Sequence, residues 1–534
     1  MANRNVRYER VKVGPWTAAD FDTSPIYDPN TLTLARDAIL NDDGSIVMRP
    51  GWTDRTTSAH ASYSAFTWKL FTYDYPTGFK VFIYGQDTNF YYGSATAMTS
   101  QHDPTWTGVT NCDHTVFNQV LYVTPDHHTT TNVPFKYDGS SFTGLTALGD
   151  AGGSGFYNAM TVLSEHERVF VGNLTENNVS DDNFPYRIRY SNADAAETWT
   201  AADYIDLNPD DGGEIMKLVS FQNSILIFRE HAIYVLTGRS DESFTIYKLT
   251  SQYGLSGERS TIVFDDVVYF YYHKFGIVKF DGETFTPFTW TDGSYIQSTS
   301  SAKTEVDVFE YEGHIYVAAQ NNPSADPDND RCFIINPRSE VVTTGTFGWI
   351  HSTTTQEGVV YFAMVNPLHD ATDQKRIFEF GASNKDAGDF IPATIWTNWI
   401  TSSTGEPFSI VDIEFDFHNS YFVATSASNE LSRFYLEYNG IGEQFSDYYY
   451  LTGHEQIEGY SEWSRMHIPI NFEAAAPTGT QYGPRKRGIE SFRMWLGVDP
   501  GALVRSISTW GIANMIVTIA IQDQVKTELT HTVT

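Results

Sequence analysis

A few stretches of the 534-residue chain carry side chains whose types and spacing could do chemistry. Asp326-Pro-Asp-Asn-Asp330 sets carboxylates two residues apart, as calcium loops do. It lacks the turn glycine and the distal bidentate glutamate of such loops, and reads first as a solvated rim loop. Asp126-His-His128 has metal-ligand side chains but no further partners, and Asp210-Asp-Gly-Gly213 reads as a turn before a strand at Ile215. Cys112 and Cys332 stand far apart with no CxxC or Cys/His cluster, which favours two buried thiols over a zinc site. The phosphate-loop, HExxH, GxSxG and dinucleotide fingerprints are absent. No catalytic, metal or cofactor-binding residue is therefore assigned, and no cofactor is expected.

One basic run breaks the acidic background, Pro484-Arg-Lys-Arg-Gly488. Arg485, Lys486 and Arg487 are the candidate contact residues, facing either phosphates or an acidic neighbouring subunit, with a solvated hairpin loop as the plain alternative. Ser191-Asn-Ala-Asp-Ala-Ala-Glu-Thr-Trp199 looks like the Asp-box turn of sialidase propellers, but it lacks the glycine, is one residue too long and occurs once. The chain holds 66 carboxylates against 34 Lys and Arg, a net charge of -32, the opposite of a nucleic-acid binder's basic footprint. The charge reads either as solubility or as a surface that must not stick to DNA. The N-terminus has no apolar core segment, so no secretory signal is expected, and no run approaches a membrane span.

The elements that would position these groups are strands. Aromatic residues make up 15% of the chain, with 32 Tyr and 36 Phe, and such side chains suit a pleated, half-buried surface. An apolar triplet recurs after a short polar turn: Val81-Phe82-Ile83, Leu121-Tyr122-Val123, Val169-Phe170-Val171, Leu226-Ile227-Phe228, Val268-Tyr269-Phe270, Ile315-Tyr316-Val317 and Val360-Tyr361-Phe362. Their centres lie 40, 48, 57, 42, 47 and 45 positions apart, the period of propeller blades. A second strand follows each triplet, and Lys136-Tyr-Asp-Gly-Ser-Ser-Phe-Thr143 nearly repeats as Lys279-Phe-Asp-Gly-Glu-Thr-Phe-Thr286. Each unit is an antiparallel meander that must stack on neighbours to bury both faces.

The sequence thus predicts an all-β protein in three parts. Residues 1–58 form an N-terminal extension with a hairpin around Asp43-Gly44; 59–387 form a seven-bladed propeller with each triplet as a central blade strand; 388–534 form a β-sandwich-like domain. A strand from residues 60 to 70 is expected to close the ring on the last blade, because an unclosed ring leaves edges. In the last part Val411-Asp-Ile-Glu-Phe-Asp-Phe417 alternates strictly, the pattern of a half-buried strand.

In three stretches the chain resembles the tail nozzle and head-to-tail stabilisation proteins of short-tailed phages. They are Asn41-Asp-Asp-Gly-Ser-Ile-Val-Met-Arg-Pro-Gly51; Tyr190-Ser-Asn-Ala-Asp194 to Trp199 with Ile205-Asp-Leu207, Gly212-Gly213 and the strands up to Thr237; and Gly483-Pro-Arg-Lys-Arg-Gly488. The resemblance implies a structural virion protein without catalysis. Such subunits form a ring, usually a hexamer, beneath portal and adaptor; they continue the DNA channel, carry fibres and gate ejection. Expected partners are therefore further copies of the chain, the portal or adaptor and tail fibre proteins, and transiting DNA, with no membrane insertion. The expected location is the virion tail, after synthesis in the host cytoplasm. The competing readings are a propeller-fold glycan hydrolase and a receptor-binding tail protein. An enzyme would need convergent carboxylates and arginines in the propeller's central funnel; a structural ring would plug that funnel with apolar side chains.

Overall fold

A computed structural model describes residues 6–13, 17–18, 31–55, 69–74, 80–84, 89–94, 97–109, 111–125, 132–149, 152–176, 183–288, 306–319, 331–347, 349–365, 375–383, 386, 391, 393–397, 399–419, 433–440, 443–450, 463–469, 489–497 and 510–522. Among them every regular element is a β-strand. Asp326 to Asp330, Asp126 to His128 and the basic run Arg485, Lys486, Arg487 lie outside the described residues.

The chain divides into two compact units. The larger holds Trp52–Phe333 and Thr346–Ala382; the smaller holds Met1–Gly51, Ile334–Gly345 and Ser383–Thr534.

The larger unit is a succession of four-stranded antiparallel meanders, the blade architecture of a propeller. Each apolar triplet lies in the second strand: Lys80–Tyr84, Val120–Pro125, Arg168–Thr175, Ser224–Arg229, Val267–Tyr272, His314–Ala319 and Val359–Val365. In the sixth meander the last strand, Val341–Thr346, counts almost wholly with the smaller unit. The turns between first and second strands repeat one geometry. Asn118 and Gln119 have φ of 49° and 64°, Gln222 and Asn223 48° and 61°, Asp265 and Asp266 50° and 59°, Glu357 and Gly358 49° and 79°. Two consecutive left-handed residues are the mark of a two-residue type I′ hairpin, whose twist matches that of the strands it joins. The near-identical segments also fold alike. Asp138 accepts the backbone N–H of Ser140 and Ser141 at 2.9 and 2.8 Å, and Asp281 those of Glu283 and Thr284 at 2.9 and 2.7 Å.

Ring closure differs from the expectation. The strand added to the last meander is Gly51–Asp54, hydrogen-bonded beside Lys375–Ser383. Lys69 and Leu70 instead open the first strand of the first meander, Lys69–Tyr73. The reason is packing. Trp52 is buried, stacks on Phe347 at 5.4 Å and meets Phe362 edge-on at 5.8 Å, while Arg55 Nε donates to Glu379 at 2.6 Å. At the seam, Leu70 N–H donates to Ser352 Oγ at 3.0 Å, and the Thr72 and Thr354 hydroxyls lie 3.2 Å apart.

In the smaller unit the strands form a branched sheet, through which one hydrogen-bonded run passes. Val6–Val13 pairs Trp510–Gln522, which pairs Phe408–Asn419; that strand meets Ile489–Gly497, which pairs Arg433–Gly440, which pairs Glu443–Tyr450. The alternation expected from Val411 to Phe417 is broken at its start. A bulge between Ile410 and Asp412 leaves Val411 exposed and buries both Ile410 and Ile413.

Candidate functional site: charged groups on the inner strands

The first strands of the meanders pack beside one another around the larger unit: Trp349–Gln356 beside Lys69–Tyr73, Cys112–Phe117 beside Asn158–Glu165, and Asn158–Glu165 beside Ile215–Phe221. Their charged side chains meet. Lys69 of the first meander has Nζ 3.2 Å from Glu258 Oε1, at the approach to the fifth, and 3.9 Å from Asp113 Oδ1 of the second. Lys217 of the fourth has Nζ 2.8 Å from Asp113 Oδ2, and the Val162 N–H of the third donates to the same oxygen at 3.0 Å. Asn111 Nδ2 also donates to Glu258 Oε1. Asp307 of the sixth accepts from Thr353 N–H at 2.7 Å and Thr353 Oγ1 at 3.0 Å in the seventh. Groups from meanders this far apart can converge only at a shared axis.

Lys69, Asp113, Glu258 and Asp307 are all buried. Burial by itself would raise the Asp113 carboxyl, but Lys217 and Lys69 hold it well below the usual carboxylate range. Burial would equally drive Lys69 towards its neutral form; Glu258 and Asp113 reverse this and raise its pKa. Asp307 goes the other way: desolvation raises it, and Arg259 and the Thr353 bonds offset only part of that. His114, stacked on Phe71 at 4.2 Å, is pushed down to about 3 by burial and stays neutral. Lys69 and Lys217 balance Asp113 and Glu258 in charge. The arrangement can clamp the ring.

The expectation for this place was an either/or, and the finding is a third case: charged groups converge, and they neutralise each other. A signal existed in the sequence. Asp113 and Asp307 each stand nine positions before their triplet centres, Tyr122 and Tyr316, and Lys217 stands ten before Ile227. A charge nine or ten positions ahead of the triplet centre, near the start of the first strand, is the local trace of this cluster.

The other singled-out residues resolve into local locks. Asn192 to Trp199 forms a compact loop, with Asn192 N–H donating to Thr198 O at 2.8 Å and Asp194 at φ 57°. It inserts Trp199 against Phe156 and Tyr157 at 5.6 and 5.1 Å, with Nε1 donating to Gly155 O at 3.1 Å. The Asp210 to Gly213 turn wraps the buried guanidinium of Arg229, whose Nη1 donates to Asn208 O at 2.8 Å and whose Nε donates to Gly213 O at 2.6 Å. Gly212 is required there: its φ is 94°, and a Cβ would meet Ala232 Cβ at 2.5 Å.

In the smaller unit Arg49, of the Arg-Pro-Gly segment, is fully buried. Nε donates to Asp37 Oδ1 at 2.6 Å, Nη1 and Nη2 grip Asp386 at 2.9 and 2.6 Å, and Nη1 also reaches Pro50 O at 3.0 Å. Cys112 and Cys332 are both buried, and neither forms a disulfide. Among the described residues no cluster of three or more His, Cys, Asp or Glu could hold a metal ion.

No family model matches the chain, and no curated protein matches it. Similar solved structures include BBS1N in complex with ARL6DN (soaked with lead), with 12% identity, a TM-score of 0.40, and coverage of 62% of this chain and 97% of that one. The RRP9 WD40 repeats are similar at 7% identity and a TM-score of 0.36, covering 62% of this chain and 99% of theirs. The blade architecture described above rests on the strand order of the chain itself.

Proposed function

We propose that the chain is a non-catalytic structural protein of a phage virion, a tail nozzle subunit that assembles into a ring, continues the DNA channel and gates ejection. The observation that carries the non-catalytic part is the axial network. A hydrolase funnel needs acids and bases free to change charge during turnover; here Lys69, Lys217, Asp113 and Glu258 are bonded to each other, and His114 is locked neutral. The virion part rests on the sequence resemblance. Two of its stretches, around Arg49 and around Trp199 with Arg229, are structural locks, which suits segments that hold a framework. On this reading the partners are further copies, a portal or adaptor and fibres. Arg485, Lys486 and Arg487 contact an acidic neighbour, and the net charge of -32 repels the DNA that passes.

Size-exclusion chromatography with light scattering, with and without the adaptor, tests this directly, together with an assay on host surface polysaccharides. A ring and no hydrolysis are expected. A strictly monomeric chain that cleaves polysaccharide would overturn the reading in favour of the glycan hydrolase.

A further inference from the structure

In the smaller unit two eight-residue strands lie at the ends of one hydrogen-bonded run. Val6–Val13 pairs only Trp510–Gln522, and Glu443–Tyr450 pairs only Arg433–Gly440, among the described residues. Each therefore offers a full row of backbone N–H and C=O groups, the template on which another chain adds as a strand.

The two edges differ in charge. Val6–Val13 carries Arg7, Arg10 and Lys12 against Glu9, a net of +2 in a chain of net -32. Glu443–Tyr450 carries Glu443 and Asp447 with no base, a net of -2. The basic edge is open on both faces: Arg7, Arg10 and Lys12 are exposed, and Tyr8, at 65% exposure, is the most exposed of the large hydrophobic side chains described. Arg10 already pairs with Glu414 of its own sheet at 2.9 Å, which leaves Arg7 and Lys12 for an outside partner. Another edge strand of this sheet, Trp463–Pro469, has no acid to complement them and ends on a proline, which cannot donate, and the edges Thr17–Ala18 and Ala38–Leu40 are only two and three residues long.

We propose that the basic edge Val6–Val13 of one copy pairs with the acidic edge Glu443–Tyr450 of the next, so that the sheet continues from subunit to subunit. Because the two edges are different surfaces, the contact is head-to-tail, and head-to-tail contacts close into rings when the rotation per step allows. The inference deepens the ring reading above and rests on it for closure. Main-chain bonds supply the affinity; the opposite charges select this edge over self-pairing of like edges.

The test is a charge-swap cycle on the full chain, read by sedimentation velocity at low and high salt. Arg7→Glu with Lys12→Glu, and separately Glu443→Lys with Asp447→Lys, should each weaken self-association about tenfold or more at low salt. Combining all four substitutions should restore it, and far-UV circular dichroism and the melting temperature show that each variant is folded. The loss should shrink at high salt, where the native attraction is already screened. If wild-type rings persist unchanged in both double variants, the edge pairing is overturned and the ring reading stands. Open chains or dimers controlled by the swap support the pairing and overturn the closed ring. A wild-type chain that stays monomeric under all conditions overturns both.

Discussion

Arg49 finds Asp37 twelve positions before it in one local hairpin and Asp386 from far along the chain. At the axis of the larger unit, Lys69, Asp113, Lys217 and Glu258 come from four meanders and balance to zero. Both sites are buried and both hold β-elements together, yet they should fail differently. Arg49 bonds both carboxylates at 2.6 Å, whereas the part-exposed Arg36 comes only to 3.8 Å of Asp37, so losing Arg49 leaves two buried carboxylates poorly compensated. Lys69 and Asp113 each have two oppositely charged neighbours, so a loss there is shared.

The largest effect is therefore expected for Arg49→Met, a loss of about 3–5 kcal/mol in urea unfolding, since breaking a buried pair strands its partners. Arg49→Lys should recover little, because an ammonium cannot grip Asp386 with two parallel bonds. Next comes Asp113→Asn, at about 2–3 kcal/mol, the range of charge-assisted hydrogen bonds. Asp113→Leu combined with Lys217→Met should recover roughly half of that, because hydrophobic replacement of both partners removes the desolvation cost along with the attraction. Equal losses in the single and double variants would show that Lys69 is the partner that matters.

Asp307→Asn should be the smallest of the buried substitutions, within about 1 kcal/mol at pH 7. It differs from Asp113→Asn in sign of pH dependence. The Asp113 carboxyl is held below its unfolded value near ~3.9. Its stabilisation is full above that value and is lost as pH falls towards the folded pKa, so the deficit of Asp113→Asn shrinks below about pH 4. The Asp307 carboxyl is held above its unfolded value, so the folded wild type gains stability as pH falls through that raised pKa. Relative to wild type, Asp307→Asn should thus improve as pH rises from 4 to 7. Parallel slopes for the two variants would contradict the opposite environments assigned to them. At the far end, Arg338→Ala, which removes an exposed contact with Asp42, should change stability by no more than about 0.5 kcal/mol.

Much of the larger unit was legible from local pattern. The triplets, the strands that follow them and the turns ahead of them are short-range signals: period-two burial and residues that accept φ above zero. Closure was less so. The strand expected from residues 60 to 70 is Gly51–Asp54, and what decided it was the fit of Trp52 between Phe347 and Phe362, some 300 positions away. The bulge that turns Val411 outward was equally hidden, since strict alternation in sequence gives no sign of an added residue.

The sequence by itself determined the all-β class, the strands and their hairpins, because each depends on neighbours a few residues apart. The tertiary structure alone decided which charges meet. Lys69 and Glu258 are 189 positions apart, and neither has a local partner that would announce the other. Their contact exists because the blades stack around one axis, where stacking brings the inner strands close enough for a buried charge to be stable only beside an opposite one.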